Sequence, residues 1–252
     1  MNNGGPIIYK TVWNFRDLGG YATPNGEVIQ SGLVFRSGEL SGLDREDAST
    51  IASLGLRTVV DLRDPVESAR RPDRLDGLSV NRLQANLTPL AYYELAAGIA
   101  GGHLSESDSL AYMRSITTSI AFERLEEIQA VFQSFMQPHA FPMLMHCSLG
   151  KDRTGVVVAL LLFALGVPEE TVYADYMLSK NYLVRFQEAQ IEEPGHEHTG
   201  PVWEARREYL EGALAAVRDS YESIDRFLEI AIGLTDEMRT ELNGRLLLRP
   251  TQ

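Results

Sequence analysis

The chain has few of the residues that mark a disulfide-stabilised, metal-clustered or membrane-spanning protein. Its 252 residues include one cysteine, two tryptophans and five histidines. A single cysteine excludes both an intramolecular disulfide framework and a zinc cluster built on several thiolates. The longest strongly apolar run, residues 156–167, is shorter than the about 20 residues that cross a bilayer. We therefore expect no stable membrane insertion and a thiol that is free or bonded to another molecule.

Basic residues are also scarce, with 23 Lys and Arg against 35 Asp and Glu and a net charge of -12. A surface that binds nucleic acid usually carries a positive field, so we expect no nucleic-acid partner and only local recognition of phosphate. The first ten residues lack the basic start and apolar core of a secretory signal. We expect a cytoplasmic protein, and export by a route that needs no such signal is the alternative. The sequence does not specify an oligomeric state.

Strand-like and helical patterns alternate over the first two thirds of the chain, which predicts an α/β fold. The predicted strands cover residues 33–36, 57–62 and 141–145, and the predicted helices cover residues 44–54, 105–137 and 154–165. Asp44 is the expected N-cap of the first helix, and Gly55 its end. The rest reads as helices near residues 169–190, 201–218, 221–232 and 236–247, the last capped by Thr235, with a loop at 192–201. The pattern predicts one domain, residues 1–252, with a central sheet flanked by helices.

The only cysteine lies in a segment, residues 145–155, that reads as strand, glycine-containing loop and helix. A loop that opens a helix turns several backbone N–H groups towards one point, where an anion binds. Arg153 follows Cys147 by six residues, so its guanidinium can complete the oxyanion cage. The charged and glycine residues around Cys147 make a poor hydrophobic core, which disfavours an ordinary buried cysteine. This segment predicts a site where a thiolate and a phosphate meet.

The chemistry that suits this segment is a double displacement without metal or cofactor. A helix N-terminus and nearby cations favour the thiolate form of a cysteine, which makes Cys147 the candidate nucleophile. Arg153 would hold the phosphoryl oxygens through two parallel hydrogen bonds. The Thr154 hydroxyl would stabilise the sulfur when it leaves. The loop residues expected to bind the phosphate are Ser148, Leu149, Gly150 and Lys151.

The segment from His146 to Gly155 resembles the cysteine signature, His-Cys-x5-Arg followed by Ser or Thr, of the protein tyrosine phosphatase superfamily. Its Gly-Lys-Asp-Arg-Thr-Gly version resembles the bacterial branch of tyrosine and lipid phosphatases. Residues 14–21, 35–37, 60–63, 174–179 and 233–235 also resemble this branch, so the similarity covers nearly the whole chain. The resemblance implies a central sheet flanked by helices and metal-independent hydrolysis of phosphotyrosine, with activity extending to phosphoserine, phosphothreonine and phosphoinositides.

The resemblance also implies roles for particular residues. Cys147 becomes the nucleophile, Arg153 the phosphate clamp and Lys151 a group that favours a second negative charge, as in an inositol lipid. A helical pair within residues 169–215 would lie over the site as a lid. His146 is expected to order the loop by hydrogen bonding to the backbone. The expected structural supports are Arg16, Asp17, Arg36 and Arg63.

The proton donor for the leaving group is the open question, because the chain lacks the Trp-Pro-Asp loop of eukaryotic tyrosine phosphatases. Asp61, at the end of a predicted strand, is the first candidate. The interpretation that Asp61 is a structural carboxylate bonded to arginine is equally favoured. Asp152, inside the loop, is the second candidate. The alternative is that its carboxylate stabilises the loop by pairing with Arg16 or Arg63. Asp73 is the third.

Two other classes of function compete with a phosphatase. One is a module that binds phosphorylated partners without turnover, and the other is a rhodanese-type sulfurtransferase, whose cysteine also lies in an anion-binding loop. The Arg153-Thr154 pair suits phosphoryl transfer better than sulfur transfer. A phosphorylated protein is therefore the expected partner, and a phosphoinositide is the alternative substrate.

Overall fold

The computed structural model describes residues 11–102, 104–191 and 199–249. Its strands are β1 (Arg16–Asp17), β2 (Val28–Ile29), β3 (Val34–Ser37), β4 (Thr58–Asp61), β5 (Asn81–Gln84), β6 (Met143–His146) and β7 (Leu247–Leu248). Its helices are α1 (Arg45–Ser53), α2 (Pro65–Arg70), α3 (Leu90–Gly101), α4 (Glu106–Glu123), α5 (Leu125–Phe135), α6 (Asp152–Ala164), α7 (Glu169–Ile191), α8 (Gly200–Trp203), α9 (Arg207–Tyr221), α10 (Ile224–Ile230) and α11 (Asp236–Leu246). The central sheet with helices on both sides confirms the predicted α/β class.

Five strands form the central sheet in the order β1-β3-β6-β4-β5. β1 is antiparallel to β3, and the other neighbours are parallel. In this register His146, at the end of β6, lies between Ser37 of β3 and Asp61 of β4. Ligands of open α/β sheets bind outside the carboxyl ends of the strands. The loop that follows β6 therefore begins in the middle of the edge where a ligand is expected.

Apolar side chains cover both faces of the sheet. Val59 and Leu144 belong to the core on the side of α1, together with Ile51. Val60 and Met145 belong to the larger core that contains α6. This alternation follows from the pleat, which sends successive side chains to opposite faces. Strands buried on both faces are typical of parallel sheets covered by helices.

Helix α6 is buried around nearly its whole circumference. It packs against α4, α7 and α10 as well as against β3 and β6. Each fully buried Val or Leu side chain contributes about 1.5–3 kcal/mol, so Val157, Leu160 and Leu162 fix the helix firmly. The first turn of this helix carries Arg153, which is therefore attached to one of the most deeply packed elements of the fold.

Two predicted helix starts are confirmed by their hydrogen bonds. The Asp44 carboxylate accepts from the backbone N–H of Asp47, and the Thr235 hydroxyl accepts from that of Met238. Gly55 follows α1 with a φ of 64°, as expected for a glycine that ends a helix. Among the described residues, no helix is both long and apolar enough to cross a membrane.

Some elements differ from the sequence prediction. Segment 105–137 forms two helices because the backbone of Arg124 leaves the helical region, with φ -128° and ψ 39°. Segment 201–218 is likewise divided between α8 and α9. Strand β5 escapes prediction because its residues are polar and mostly exposed. Residues 192–198 of the predicted loop lie outside the described residues.

Candidate active site

The cysteine loop, residues 147–151, joins β6 to the first turn of α6. The Cys147 side chain is buried, with 3% of its surface exposed. The first N–H groups of an α-helix have no partner within the helix, and the helix dipole is positive at that end. The start of α6 at Asp152 therefore places unpaired donors and positive potential at the segment that carries the sulfur.

The carbonyl groups of the cysteine loop are held by side chains from the N-terminal part of the chain. The Asn14 Nδ2 donates to the carbonyls of Leu149 (3.0 Å) and Gly150 (2.8 Å), and the Arg36 Nη2 donates to that of Gly150 (2.7 Å). In a trans peptide the N–H points away from the C=O. Carbonyls fixed on Asn14 and Arg36 therefore leave the loop amides turned to the opposite side, where an anion would bind.

Gly150 allows the cysteine loop to pass close to β3. Its φ is 64°, and a Cβ at this position would lie 2.3 Å from the carbonyl carbon and oxygen of Ser37. A side chain is excluded both by the contact and by the left-handed backbone. This glycine is a requirement of the loop's shape.

Asp175 of α7 brings together two of the predicted supporting residues. Its carboxylate accepts from the Arg16 Nε (2.9 Å), from the Arg36 Nη1 and from the Tyr21 hydroxyl (2.9 Å). Burial would raise the pKa of Asp175, but Arg16 and Arg36 outweigh it and hold the pKa at about 2. Burial and the charge of Arg16 lower the pKa of Arg36 to about 10. The sequence pattern gives Asp175 no role, because only the fold shows that this helical carboxylate faces two arginines.

The Arg153 guanidinium is fixed by several side chains. It forms a two-point ion pair with Glu67 of α2, Nη1 to Oε2 at 2.7 Å and Nη2 to Oε1 at 3.0 Å. Nη1 also donates to the Thr88 hydroxyl (2.8 Å) and Nη2 to the Ser148 hydroxyl (3.1 Å), and the Ser148 hydroxyl contacts Glu67 as well. The Tyr92 ring centre lies 5.3 Å from the guanidinium carbon. The predicted clamp is thus oriented before a substrate arrives.

The surroundings of Arg153 also favour its charged form. Burial alone would lower its pKa, but the negative charge of Cys147 and the contacts with Glu67 raise it. The sequence pattern does not predict α2 and therefore gives Glu67 no role, although Asp64 followed by Pro65 is a typical helix start. In the structure the Asp64 carboxylate accepts from two N–H groups of the first turn, at 2.8 and 3.0 Å. This cap sets the helix that presents Glu67.

Asp61 is engaged by arginine rather than free to donate a proton. Its carboxylate accepts from the Arg63 Nε (2.9 Å), the Arg63 Nη2 (2.8 Å) and the Ser68 hydroxyl (2.8 Å). Burial would raise the pKa of Asp61, but the hydrogen bonds from Arg63 outweigh it and hold the pKa at about 2. A carboxylate with this pKa is ionised at neutral pH. The geometry therefore argues for the structural reading of Asp61 and against its use as the acid.

Asp152 and Lys151 have partners other than those expected. The Asp152 carboxylate accepts from the Tyr176 hydroxyl at 3.2 Å and lies 3.5 Å from the Lys151 Nζ, instead of pairing with an arginine. Lys151 is fully buried, and its Nζ donates to the carbonyls of Val202 (2.6 Å) and Glu204 (2.8 Å). Burial lowers the pKa of Lys151. Its ammonium group ties the cysteine loop to the end of α8, whereas the resemblance assigns it to a substrate charge.

Thr154 is the residue whose hydroxyl is predicted to stabilise the leaving sulfur. Its hydroxyl is buried and has no hydrogen-bond partner among the residues that the structure describes. Leaving such a group unpaired costs about 1–3 kcal/mol. The Cys147 sulfur is not within hydrogen-bond geometry of this hydroxyl, so the support of the leaving thiolate by Thr154 stays a prediction.

Two further supporting residues lie outside the phosphate cage. The Asp17 carboxylate accepts from the N–H groups of Gly19 (2.8 Å) and Gly32 (2.6 Å), so it shapes a turn. The His146 Nε2 lies 3.0 Å from the Asp73 Oδ2. Among the described residues neither ring nitrogen of His146 has a hydrogen-bond partner, so the expected bond to the backbone is not made and the imidazole faces a carboxylate instead.

A cysteine in the loop at the carboxyl end of a central parallel strand, and an oriented guanidinium in the helical turn that follows, define a thiol-dependent phosphoryl-transfer site. A family model described as the tyrosine phosphatase family matches residues 7–248. The chain belongs to this family, which confirms the resemblance seen in the sequence. The match includes the cysteine loop and the helices that follow it.

Two relatives compared by sequence agree with this assignment. The chain is 30% identical to the triple specificity protein phosphatase PtpB of Mycobacterium tuberculosis, over 93% of this chain and 96% of that protein. It is 28% identical to a tyrosine-protein phosphatase of Nostoc commune, over 86% of this chain and 75% of that protein. The core catalytic domain of the PP-IP phosphatase SIW14 from S. cerevisiae is 13% identical, with a TM-score of 0.42 over 92% of this chain and 91% of that one.

Proposed function

We propose that the protein hydrolyses phosphomonoesters through a cysteinyl-phosphate intermediate, with phosphotyrosine in proteins as its main substrate and a broad tolerance for other phosphate esters. The observation that carries this proposal is the pairing of a buried cysteine with a guanidinium six residues later, oriented by Glu67. The relative called a triple specificity phosphatase supports the breadth of substrates.

In the first step the Cys147 thiolate attacks phosphorus, the S–P bond forms and the P–O bond to the leaving group breaks. The loop amides and Arg153 hold the three non-bridging oxygens and stabilise the charge that develops on them. The leaving oxygen takes a proton from a carboxylic acid, which accelerates such a step by about 10²- to 10⁴-fold.

In the second step water attacks phosphorus and the S–P bond breaks. The sulfur leaves as a thiolate, and the Thr154 hydroxyl donates a hydrogen bond to it. The carboxylate that gave its proton in the first step takes one from the water. Inorganic phosphate is released and the enzyme returns to its starting state.

We assign the role of general acid for the leaving group to Asp152. This residue starts α6 immediately before Arg153. Its carboxylate lies 3.2 Å from the Tyr176 hydroxyl and 3.5 Å from the Lys151 ammonium. Asp61 is held ionised by Arg63, which leaves Asp152 as the remaining candidate of the two. On aryl phosphates of rising leaving-group pKa, Asp152→Asn should lose most activity on the poorest leaving groups. Asp61→Asn should lose a similar fraction on all of them; the reverse pattern would exchange the two roles.

Cys147→Ser tests the central claim. The wild type should release phosphate from an aryl phosphate and, after rapid quenching in acid, carry a phosphoryl group on Cys147, whereas the variant should do neither. Release by the variant would contradict the mechanism. Binding of phosphate without release by the wild type would favour the phosphate-binding module, and turnover of thiosulfate would favour the sulfurtransferase.

The substrate preference is tested with a panel of peptides and inositol phosphates. We expect the highest kcat/KM on phosphotyrosine peptides, lower values on phosphoserine and phosphothreonine peptides, and the lowest on phosphoinositides. The net charge of -12 opposes approach to anionic membranes, and the Lys151 ammonium is engaged by backbone carbonyls. A phosphoinositide headgroup that is hydrolysed faster than the peptides would favour the lipid alternative.

The lid expected within residues 169–215 stays a prediction. In this region Phe186 of α7 contacts the rings of Trp13 and Trp203, each at 5.6 Å between centroids. Lys151 joins the cysteine loop to α8. These contacts support a helical cover beside the loop. The cytoplasmic location likewise stays a prediction.

A further inference from the structure

Helix α3 lies beside Arg153 and has an apolar surface that the described residues leave uncovered. Glu94 is the only charged residue of this helix, and Leu95 is the only one that is buried. A helix that is apolar around its whole circumference is normally buried on all sides. The exposed surface of α3 is therefore suited to a partner that the described part of the chain does not supply.

Two side chains of α3 and one of α2 form an exposed apolar surface next to the guanidinium. We call this surface the apolar rim; its members are Val66 of α2, which is 60% exposed, and Leu90 and Tyr93 of α3, which are 67% and 47% exposed. Val66 directly precedes Glu67, which pairs with Arg153. Tyr93 directly follows Tyr92, whose ring centre lies 5.3 Å from the same guanidinium. The apolar rim is thus attached to the two segments that orient Arg153.

Leu90 is linked to the same place through Thr88. The Thr88 hydroxyl accepts from the Arg153 Nη1 at 2.8 Å, and its carbonyl accepts from the Arg124 Nη2 at 2.9 Å. The Leu90 N–H donates to the Glu123 carboxylate at 3.1 Å. The backbone around Leu90 is therefore fixed by the end of α4 and by Arg153, while its side chain stays exposed.

The α2 and α3 parts of the apolar rim lie close together. The rings of Tyr92 and Tyr93 meet edge to face, with 6.0 Å between their centroids. Burial and the charges of Asp64 and Glu67 raise the pKa of Tyr93. Charges on exposed groups are screened beyond about 10 Å, so these two carboxylates lie near the Tyr93 hydroxyl. Asp64 caps α2 two positions before Val66, which places this hydroxyl beside the first turn of that helix.

A peptide that binds through its phosphate passes over the apolar rim. Its phosphate would lie at Arg153, and successive Cα atoms are about 3.8 Å apart, so the residues beside the phosphorylated one stay close to the guanidinium. Exposed apolar patches on soluble proteins commonly mark binding sites. The carboxylates of Asp64 and Glu94 also lie here and oppose the approach of an acidic residue. These surroundings favour an apolar residue beside the phosphorylated one.

We propose that the apolar rim binds a large apolar side chain next to the phosphorylated residue, so that phosphotyrosine sites flanked by residues such as leucine are preferred over sites flanked by acids. This inference rests on the proposed function, in which phosphorylated proteins are the substrates. It makes Val66, Leu90 and Tyr93 determinants of specificity that contact no reacting atom.

The test measures peptide binding without turnover. Fluorescent phosphotyrosine peptides that carry leucine, serine or glutamate on both sides of the phosphotyrosine are titrated with the Cys147→Ser protein, and fluorescence anisotropy gives each Kd. The leucine peptide should bind about tenfold more tightly than the serine peptide, because burial of one leucine side chain can supply that ratio. The glutamate peptide should bind most weakly. Equal affinities for the leucine and serine peptides would overturn the proposal, as would failure of every peptide to bind.

Variants of the apolar rim show whether it is the source of the preference. Val66→Ser and Tyr93→Ser, each added to Cys147→Ser, should bring the Kd values of the leucine and serine peptides close together. Ile230→Ser is the matched control, because Ile230 is 57% exposed on α10, which lies at the opposite end of α6 from the cysteine loop. This control should keep the full preference. If one rim variant does not fold, the other decides; a preference that survives in the folded variants overturns the proposal.

Two other partners for the apolar rim give different results. Vesicles of phosphatidylcholine with a phosphatidylinositol phosphate that bind the Cys147→Ser protein, and lose that binding with Tyr93→Ser, would overturn the proposal in favour of a lipid surface. The net charge of -12 opposes this outcome. A dimer in analytical ultracentrifugation that Tyr93→Ser dissociates would overturn it in favour of a second copy of the chain.

Failure of the proposed function and failure of the apolar rim are distinguishable. Phosphate release that survives Cys147→Ser would contradict the phosphatase mechanism, whereas the peptide preference is measured by binding alone. Equal binding of the leucine and serine peptides would remove the role of the apolar rim while the double displacement still stands.

Discussion

The two carboxylate oxygens of Glu67 contact the two terminal nitrogens of Arg153, at 2.7 and 3.0 Å. Two parallel contacts fix the plane of a guanidinium as well as its place. The plane of the Arg153 guanidinium is therefore set before phosphate binds, and such preorganisation is a large part of electrostatic catalysis.

Glu67→Gln should lower kcat/KM by about tenfold, a loss of about 1.4 kcal/mol in transition-state stabilisation. The amide keeps the size of the side chain but offers one acceptor and no charge, so the guanidinium plane is less well held. Steady-state kinetics on an aryl phosphate provide the measurement. Glu170→Gln is the control, because Glu170 makes the same two-point pair with Arg207 at the surface, with both distances 2.7 Å. A Glu67→Gln variant that is faster and more sensitive to inorganic phosphate would instead show that Glu67 competes with substrate.

Arg153→Lys should reduce kcat/KM by at least about 10²-fold. An ammonium keeps the charge but loses the planar fork that holds two oxygens, so the substitution is not conservative at a bidentate site. The same kinetic assay, with far-UV circular dichroism to verify folding, measures the effect. Activity within a few-fold of the wild type would mean that a point charge is enough for the clamp.

Gly150→Ala should damage both the loop and the stability of the fold. The left-handed backbone costs a non-glycine residue about 1–2 kcal/mol, and the contact with Ser37 at 2.3 Å adds to this. Gly55→Ala is the matched control, since Gly55 has the same φ of 64° but no atom within 4 Å of the added Cβ. Urea unfolding should show a larger loss for Gly150→Ala than for Gly55→Ala, with activity lost only in the former; equal losses would exclude a steric role for Ser37.

Asp175→Asn should destabilise the protein by about 3–5 kcal/mol at neutral pH, because two buried arginines lose their shared carboxylate. The pKa of Asp175 is lowered to about 2 in the folded protein, against about 3.9 in an unfolded chain. Its ionised form therefore stabilises the fold above pH 4, and this contribution is lost as the pH falls through 2. The difference in unfolding free energy between wild type and variant should shrink by about 2 kcal/mol from pH 4 to pH 2. A constant difference would contradict the ionic origin.

The sequence reveals the reacting groups because they share one short segment. Cys147, Arg153 and Thr154 lie within eight residues, and the strand and helix around them follow strong apolar patterns. Strands β3, β4 and β6 and helices α1 and α6 are likewise predictable, whereas α2 and β5 are not. The prediction is weaker where the backbone breaks without glycine or proline, as at Arg124 between α4 and α5.

The residues that the sequence does not assign act across long separations in the chain. Glu67 reaches Arg153, Asp175 reaches Arg16, and Asp73 reaches His146 only after the sheet has aligned their elements. A carboxylate in a polar segment has many possible partners, and no local periodicity selects one. Asp61 reads as a candidate acid although Arg63 is only two positions away, because the sequence does not show that the Arg63 side chain turns back to hold its carboxylate.

The bonds from Asn14 and Arg36 to the cysteine loop span 135 and 114 positions of the chain, to Leu149 and Gly150. Contacts between such distant positions form slowly, because the entropy of closing a long loop is lost before the contact forms. During refolding from denaturant, helical signal should therefore return before catalysis does. The rate at which turnover recovers would then report when the last long-range contacts of the fold form. The loop that reports them contains only five residues.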